Sequence, residues 1–426
     1  MSEVRDSGTA APVPAPGGRF GRIGWGLLVL LTVGYFAAFV YAPNLFFALG
    51  VAHYDGWFID TFALLASSDA VTRGLDPYAP NPLDYFNRPH VYSHWWLHLR
   101  DLGLTRADSF RLGLGLVITF LVAALWRLRP RVPLQLLWYL AVFCSSAILL
   151  ALDRGNNDLV IFLVLTPLVP CLLSPRPGVR LLAPFLVTAA AMLKYYPAAA
   201  GLVLLAQAGR PELRSRLWIS FLLLAAAGGS VAGDLAGFGP VAPQPAGLMT
   251  FGATGFFHEL GWMGLGPKLA VAGLGLAGMA WAWRRAALGD WEPAAAQRSD
   301  WLHFILGAVL LTGCFFTSMN FGYRWVFAVW LAPALWVLPR DPDTPAPVRR
   351  LARATRWLLL VMLWWPPLCC VIVNQFIGVV PSPTIMVLAK LSFLVEQPFD
   401  WAFFLCLLIF LAHFTRRRLT VLRGSA

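Results

Sequence analysis

Charge is what this sequence lacks most. Only 13% of its 426 residues are charged, while 58% are hydrophobic and the mean hydropathy is +0.66. A soluble domain carries about 25% charged residues. A soluble enzyme of this size is therefore excluded, because 54 charged side chains would not cover such a core. Cysteine is also scarce. The six cysteines (Cys144, Cys171, Cys314, Cys369, Cys370 and Cys406) lie within or near apolar stretches, without metal or disulfide-framework spacing, and read as apolar fillers. Lysine appears three times, at positions 194, 268 and 390. Disordered, collagen-like and disulfide-scaffold classes are excluded as well. What remains is a polytopic membrane protein, with lipid as the solvent for most of its surface.

Long apolar runs are what the chain does have. A bilayer core of ~30 Å takes ~20 apolar residues per helix. Twelve spans are predicted: 21–42, 109–127, 132–151, 158–174, 179–193, 196–209, 216–234, 267–283, 301–318, 325–339, 357–379 and 398–414. Four of them are short or broken. The pair 179–193 and 196–209 is split at Tyr195–Tyr196–Pro197, 325–339 is short, and 357–379 holds Pro366–Pro367. Irregular backbone at membrane depth survives only beside protein or a wet cavity, so these breaks are expected to face a cavity.

The net charge of +12 gains meaning when divided by side. With the N-terminus inside and strict alternation, 23 of the 33 basic residues fall inside and 10 outside, while the acids divide 8 and 13. The inner side is then +15 and the outer side −3. Positive-inside bias therefore supports twelve spans with both termini cytoplasmic, in a cytoplasmic (inner) membrane, and no nucleic-acid partner. Residues 1–18 are Pro/Ala/Gly-rich and predicted to be disordered. Residues 19–414 read as one transmembrane domain and 415–426 as a basic cytoplasmic tail. The first span reads as an uncleaved anchor.

Chemistry is then expected outside, where loops 43–108 and 235–266 lie. In the first loop Phe58, Ile59, Phe62, Ala63, Leu65, Ala66 and Ala70 share one helical face, and Gly74 and Pro77 stop the helix. This predicts a helix lying on the membrane surface. Asp60 stands at its start, either as a cap or as a catalytic carboxylate; Asp55 is the second candidate. Asp69, Asp76 and Asp84 read as solvated or turn residues. His90, His94 and His98 recur every four residues, which would suit one helix face and a metal. Trp95–Trp96 argue instead for an interfacial belt. Asp153, Arg154, Asn156, Asn157 and Asp158 crowd a turn between apolar helices, with Gly155 as a C-terminal cap and Asn157 or Asp158 capping the next helix. Lys194 and Arg324 each sit at the edge of a span. Either they snorkel to the interface, or they form an anion site with Arg154, since phosphate takes Lys or Arg.

Four elements carry a resemblance. They are Asp60-Thr61-Phe62 with Gly74-Leu75-Asp76-Pro77-Tyr78; Gly155-Asn156-Asn157-Asp158-Leu159; Lys194-Tyr195-Tyr196-Pro197; and Asn320-Phe321-Gly322-Tyr323-Arg324. In this order the sequence resembles the membrane glycosyltransferases of family 87, within the C-type superfamily, over roughly residues 20–340. The resemblance implies an all-α C-type fold, an outer-face active site, and transfer of a sugar, as in mannosyltransferase-like members, from a polyprenyl-phosphate donor to a lipid or glycan acceptor of the cell envelope. It implies Asp60 as general base. Lys194, Arg324 and Arg154 would hold the donor phosphate, with Asn157, Asp158, Tyr323 and His94 lining the substrate. Cations compensating the leaving phosphate make an obligatory metal or cofactor unnecessary. Where the family often has Tyr-x-Tyr-Pro-Pro, this chain has His90-Val91-Tyr92-Ser93-His94-Trp95-Trp96, a departure that bears on donor or acceptor choice. Two other readings fit the spans. One is a polysaccharide ligase or polymerase working through Arg88 and His94. The other is a transporter, which would place ionisable groups near the midplane and show repeated halves.

Overall fold

The structure, a computed structural model, describes residues 19–51, 53–54, 56–210, 212–238, 250–262, 264–285, 288, 291–317, 319–375, 377 and 382–424. The expected disorder of 1–18, the candidate base Asp55, and much of loop 235–266 lie outside the described residues.

Among the described residues the elements are helices, with a two-residue ladder pairing Thr250 with Phe321 and Phe251 with Asn320. Among the described residues, seven helices are long and apolar enough to cross a membrane: Phe20–Tyr41, Arg106–Arg127, Leu213–Asp234, Leu265–Arg285, Ala295–Thr317, Ala346–Asn374 and Ser382–Arg423. An eighth span is made if Pro133–Phe143 and Ser146–Arg154, bent by 51°, count as one. The other predicted spans are helices of fewer residues: Asp158–Leu173, Pro177–Leu193, Tyr196–Gln207 and Ala328–Val337. Among the described residues the predicted apolar stretches are mainly helical, and by helix length seven of these helices, or eight with the bent pair, are long enough to span. Tyr196–Gln207 is a 3-10 helix, which rises about 2 Å per residue and reaches further than an α-turn.

Burial separates the helices into two classes. In Arg298–Thr317, fourteen of twenty residues are buried, and in Ala328–Val337 nine of ten. These two pack together at the centre, where Gly307 lets the backbone of Phe327 approach; a Cβ there would lie 2.8 Å from its carbonyl oxygen. Arg19–Tyr41 and Leu265–Arg285 instead expose Ile23, Leu30, Val33, Leu265, Leu269 and Leu276. Apolar surface on this scale is stable against lipid and not against water. This is the architecture of a multi-pass helical membrane protein.

The ion pairs each join residues that the charge count of the sequence assigns to one and the same side. Arg127 with Asp300, Arg180 with Glu212 and Arg418 with Glu292 meet at the arginine-rich end. Lys194 with Asp158, Arg88 with Asp84 and His53 with Asp153 meet at the other.

One expectation is corrected. The first-loop helix, Ile59–Thr72, does not lie on a lipid surface: nine of its fourteen residues are buried, including Asp60, Thr61, Ser67 and Ser68. Its polar side is covered by the loop that follows, where the Ser68 hydroxyl donates to Leu97 and accepts from the Arg100 amide. The last helix continues from Ser382 to Gly424 and carries the basic residues of the tail.

Candidate active site

The site begins at a wedge. Phe58 takes a left-handed conformation (φ 60°), and its amide donates to the Asp153 carbonyl. Two glycines make room for its ring. A Cβ on Gly113 would stand 2.3 Å from Phe58 Cγ, and one on Gly155 would stand 2.6 Å from Thr61 Oγ1. Gly155 also has φ +54°, the left-handed cap expected at the end of Ser146–Arg154. The Thr61 hydroxyl donates to its carbonyl at 2.7 Å. This contact fixes the first turn of one helix on the last turn of another, and Asp60 is carried between them.

Asp60 is buried and meets three donors. Arg88 Nη1 is 3.3 Å from Oδ1, Arg154 Nη1 is 3.7 Å from it, and Asn156 Nδ2 donates to Oδ2 at 2.7 Å. It caps nothing: the residue at the cap position is Phe58, with no side-chain bond. Two guanidiniums and an amide allow a carboxylate to remain charged out of water. Arg88 is itself held by Asp84, through Nε at 2.9 Å and Nη2 at 2.8 Å, while Nη2 also reaches the Ile59 carbonyl. Asp84 is expected from the sequence to be a solvated or turn residue. It is a turn residue, accepting from the Phe86 amide, but it is buried under Arg88. Burial alone would raise its carboxyl; the Arg88 guanidinium and two backbone amides outweigh this and hold it below the usual carboxylate range.

Asn156 links this acid to a second one. Its Oδ1 accepts from the Asp158 amide at 2.9 Å, so Asn156, and not Asn157, shapes the turn into the next helix. Asp158 is fully buried. Its Oδ1 receives Lys194 and, at 2.7 Å, the Tyr196 hydroxyl; Arg324 Nε stands 3.9 Å from Oδ2. Arg324 also donates to Asn320 and lies 4.8 Å from the Tyr196 ring centre. The break at Tyr195–Tyr196–Pro197 faces a cavity, as expected. That cleft, of about 60 Å³, is lined by Tyr92, Lys194, Tyr195, Tyr196, Tyr323 and Arg324, among others. Tyr92, Tyr196 and Tyr323 stand 5.5, 5.9 and 5.8 Å from Lys194 Nζ. Trp96 Nε1 donates to the Leu193 carbonyl and pins the first loop beside this break.

The structure thus brings together Asp60, Arg154, Asp158, Lys194, Tyr323 and Arg324. Neither Lys194 nor Arg324 is a snorkelling or free cation, since both face Asp158. Asn157 is buried with neither amide atom hydrogen-bonded. His94 is taken out of the cleft: its backbone amide and its Nδ1 both meet Asp234 Oδ2, at 3.0 and 2.9 Å. Burial and the Asp234 carboxylate push the Tyr78 phenol up to about 12, so it donates to that same residue. The three histidines share no α-helical face. His90 precedes a 3-10 helix, His94–Leu102, and donates to the Ser93 carbonyl, while His98 meets Asp101. Among the described residues, no three His, Cys, Asp or Glu side chains group as metal ligands. The residues missed in the sequence are Asn156, Asp84, Tyr92 and Tyr196. The polar crowding of the turn and the tyrosines of the break were the available signals.

No protein-family model, curated protein or solved structure matches the chain.

Proposed function

We propose that the protein is an integral membrane glycosyltransferase. It moves a sugar from a polyprenyl-phosphate donor to a lipid or glycan acceptor on the outer face of the cytoplasmic membrane. One observation carries the reading. The four sequence elements behind the family 87 resemblance, centred near residues 60, 157, 195 and 322, meet in a single buried polar network. In that network Arg88, Arg154, Lys194 and Arg324 face Asp60, Asp84 and Asp158. Cations gathered beside these carboxylates are what a phosphodiester monoanion needs.

The chemistry follows from the parts. Asp60 accepts the proton of the acceptor hydroxyl as that oxygen bonds to the anomeric carbon. The bond from that carbon to the phosphate oxygen breaks, and the polyprenyl phosphate leaves with the electron pair. Its growing charge falls beside Lys194 and Arg324, with the tyrosines excluding water. The small cleft must widen for a sugar to enter, so substrate binding includes movement of the first loop.

The test is transfer from lipid-phosphate sugars by purified protein, wild type against Asp60→Asn. Loss of transfer by about 100-fold or more is expected for removing a general base. Unchanged transfer in the variant sinks the assignment of Asp60. Uptake into vesicles without any transfer points to the transporter reading.

A further inference from the structure

A second cavity system lies at the other end of the bundle. A groove of about 640 Å³ runs between Tyr196–Gln207, Leu265–Arg285, Arg298–Thr317 and Ser382–Gly424. Small residues open it: Ala199, Ala272, Gly275, Gly313 and Ala412. From Val271 to Trp283 it follows twelve residues of helix, ~18 Å at 1.5 Å per residue. Half of a ~30 Å hydrocarbon core is about 15 Å, the depth of one leaflet. At Trp283 the groove meets a second cavity, of about 510 Å³, lined by Trp283, Arg284, Arg416, Leu419, Thr420 and Arg423.

The charges here differ from their neighbours. Arg417 and Arg418 pair with Glu292 at 3.7 and 3.2 Å. Arg284, Arg416 and Arg423 pair with no carboxylate among the described residues, although they line one cavity. Residues 416, 420 and 423 recur at helical spacing, so Arg416, Thr420 and Arg423 form one face of the last helix. Three guanidiniums at the head of an apolar groove one leaflet deep match an anionic amphiphile; the Thr420 hydroxyl is already donated to the Arg416 carbonyl. We infer that this is a binding site for an anionic glycerophospholipid of the leaflet at the arginine-rich end. Its phosphate is held by Arg284, Arg416 and Arg423, and one acyl chain lies in the groove. Basic pockets between helices at the cytoplasmic side hold such headgroups. The site is separate from the Asp60 network and does not depend on the transfer reaction.

The test uses the full-length protein in detergent, with thermal unfolding read against added phosphatidylglycerol or phosphatidylcholine. Phosphatidylglycerol is expected to raise the midpoint by about 3–5 °C, and phosphatidylcholine by much less. The triple variant R284Q/R416Q/R423Q loses the difference between the two lipids. A variant with the same charge change elsewhere on the arginine-rich end, R214Q/R350Q/R353Q, keeps it. Ala272→Phe, at an exposed groove position, weakens the response to long-chain lipid. Equal loss in both triple variants overturns the site in favour of general surface charge. A matching response to inorganic phosphate removes the acyl groove from the proposal and overturns it. A response confined to polyprenyl phosphate overturns the lipid class.

Discussion

The side-chain amide of Asn156 donates to Asp60 Oδ2 at 2.7 Å across ninety-six positions of sequence. Its carbonyl oxygen accepts from the Asp158 amide. One uncharged residue thus orients the proposed base and starts the helix that carries the second buried acid. Asn156→Ala removes both bonds and leaves a buried carboxylate short of a donor. A loss of about 2–3 kcal/mol in stability is expected, with kcat for sugar transfer falling more than KM rises. Wild-type kcat in the alanine variant would remove the orienting role.

Arg88 serves acceptors on three residues: Asp84, Asp60 and the Ile59 carbonyl. The planar fork of guanidinium matches them, and a lysine ammonium does not. Arg88→Lys keeps the charge but should lose about 2 kcal/mol or more, as bonds to charged groups are worth ~1.5–3 kcal/mol each. Thermal unfolding measures it. A midpoint unchanged from wild type would mean that charge alone, and not the fork, holds the two acids.

Lys194 and Asp158 form a buried pair. Removing one partner strands the other, at a cost of about 3–5 kcal/mol. Lys194→Met is therefore expected to destabilise strongly, and the double variant with Asp158→Asn to recover part of the loss. Donor KM separates structure from binding. If Lys194 meets the donor phosphate, the double variant folds but still has weakened donor use. Normal donor KM in a folded double variant would limit Lys194 to a structural role.

His90 is buried, and burial lowers its pKa from 6.5 to about 4. Between those values the unfolded chain binds a proton that the folded loop refuses. The folded loop therefore keeps its full stability above pH 6.5 and loses it as pH falls toward 4. From pH 7 to pH 5 the loss is about 2 kcal/mol. His90→Gln stays neutral and should flatten this dependence. Thermal midpoints at the two pH values measure the difference, and an equal fall in the variant would place the sensitivity elsewhere.

Local features of the fold were legible in the sequence. Apolar runs mark the long helices, Gly155 marks a left-handed cap, and the proline break marks the wall of the cleft. Partnership was not legible. Periodicity says that residues 153–158 are polar in an apolar setting, but not that Asn156 turns toward Asp60 while Asn157 is left without a hydrogen bond. Asp84 forms the turn that its sequence suggests, and its burial comes only from Arg88 folding over it. Lys194 and Arg324 read as uncompensated cations because Asp158 is far from both in sequence. The number of spans was not legible for a related reason: a short apolar helix at the centre of a bundle needs no lipid contact, so hydropathy does not tell it from a full span.

Asp234 belongs to the Leu213–Phe238 helix, far along the chain from the first loop, yet it grips that loop at two points, Tyr78 and His94. The lining of the cleft includes Tyr92 and Ser93, which lie between those grips. The wall of the cleft is therefore tied to a helix that does not line it. Asp234 is absent from the cleft lining, so a change at this carboxylate reaches the cleft only through the loop that it holds.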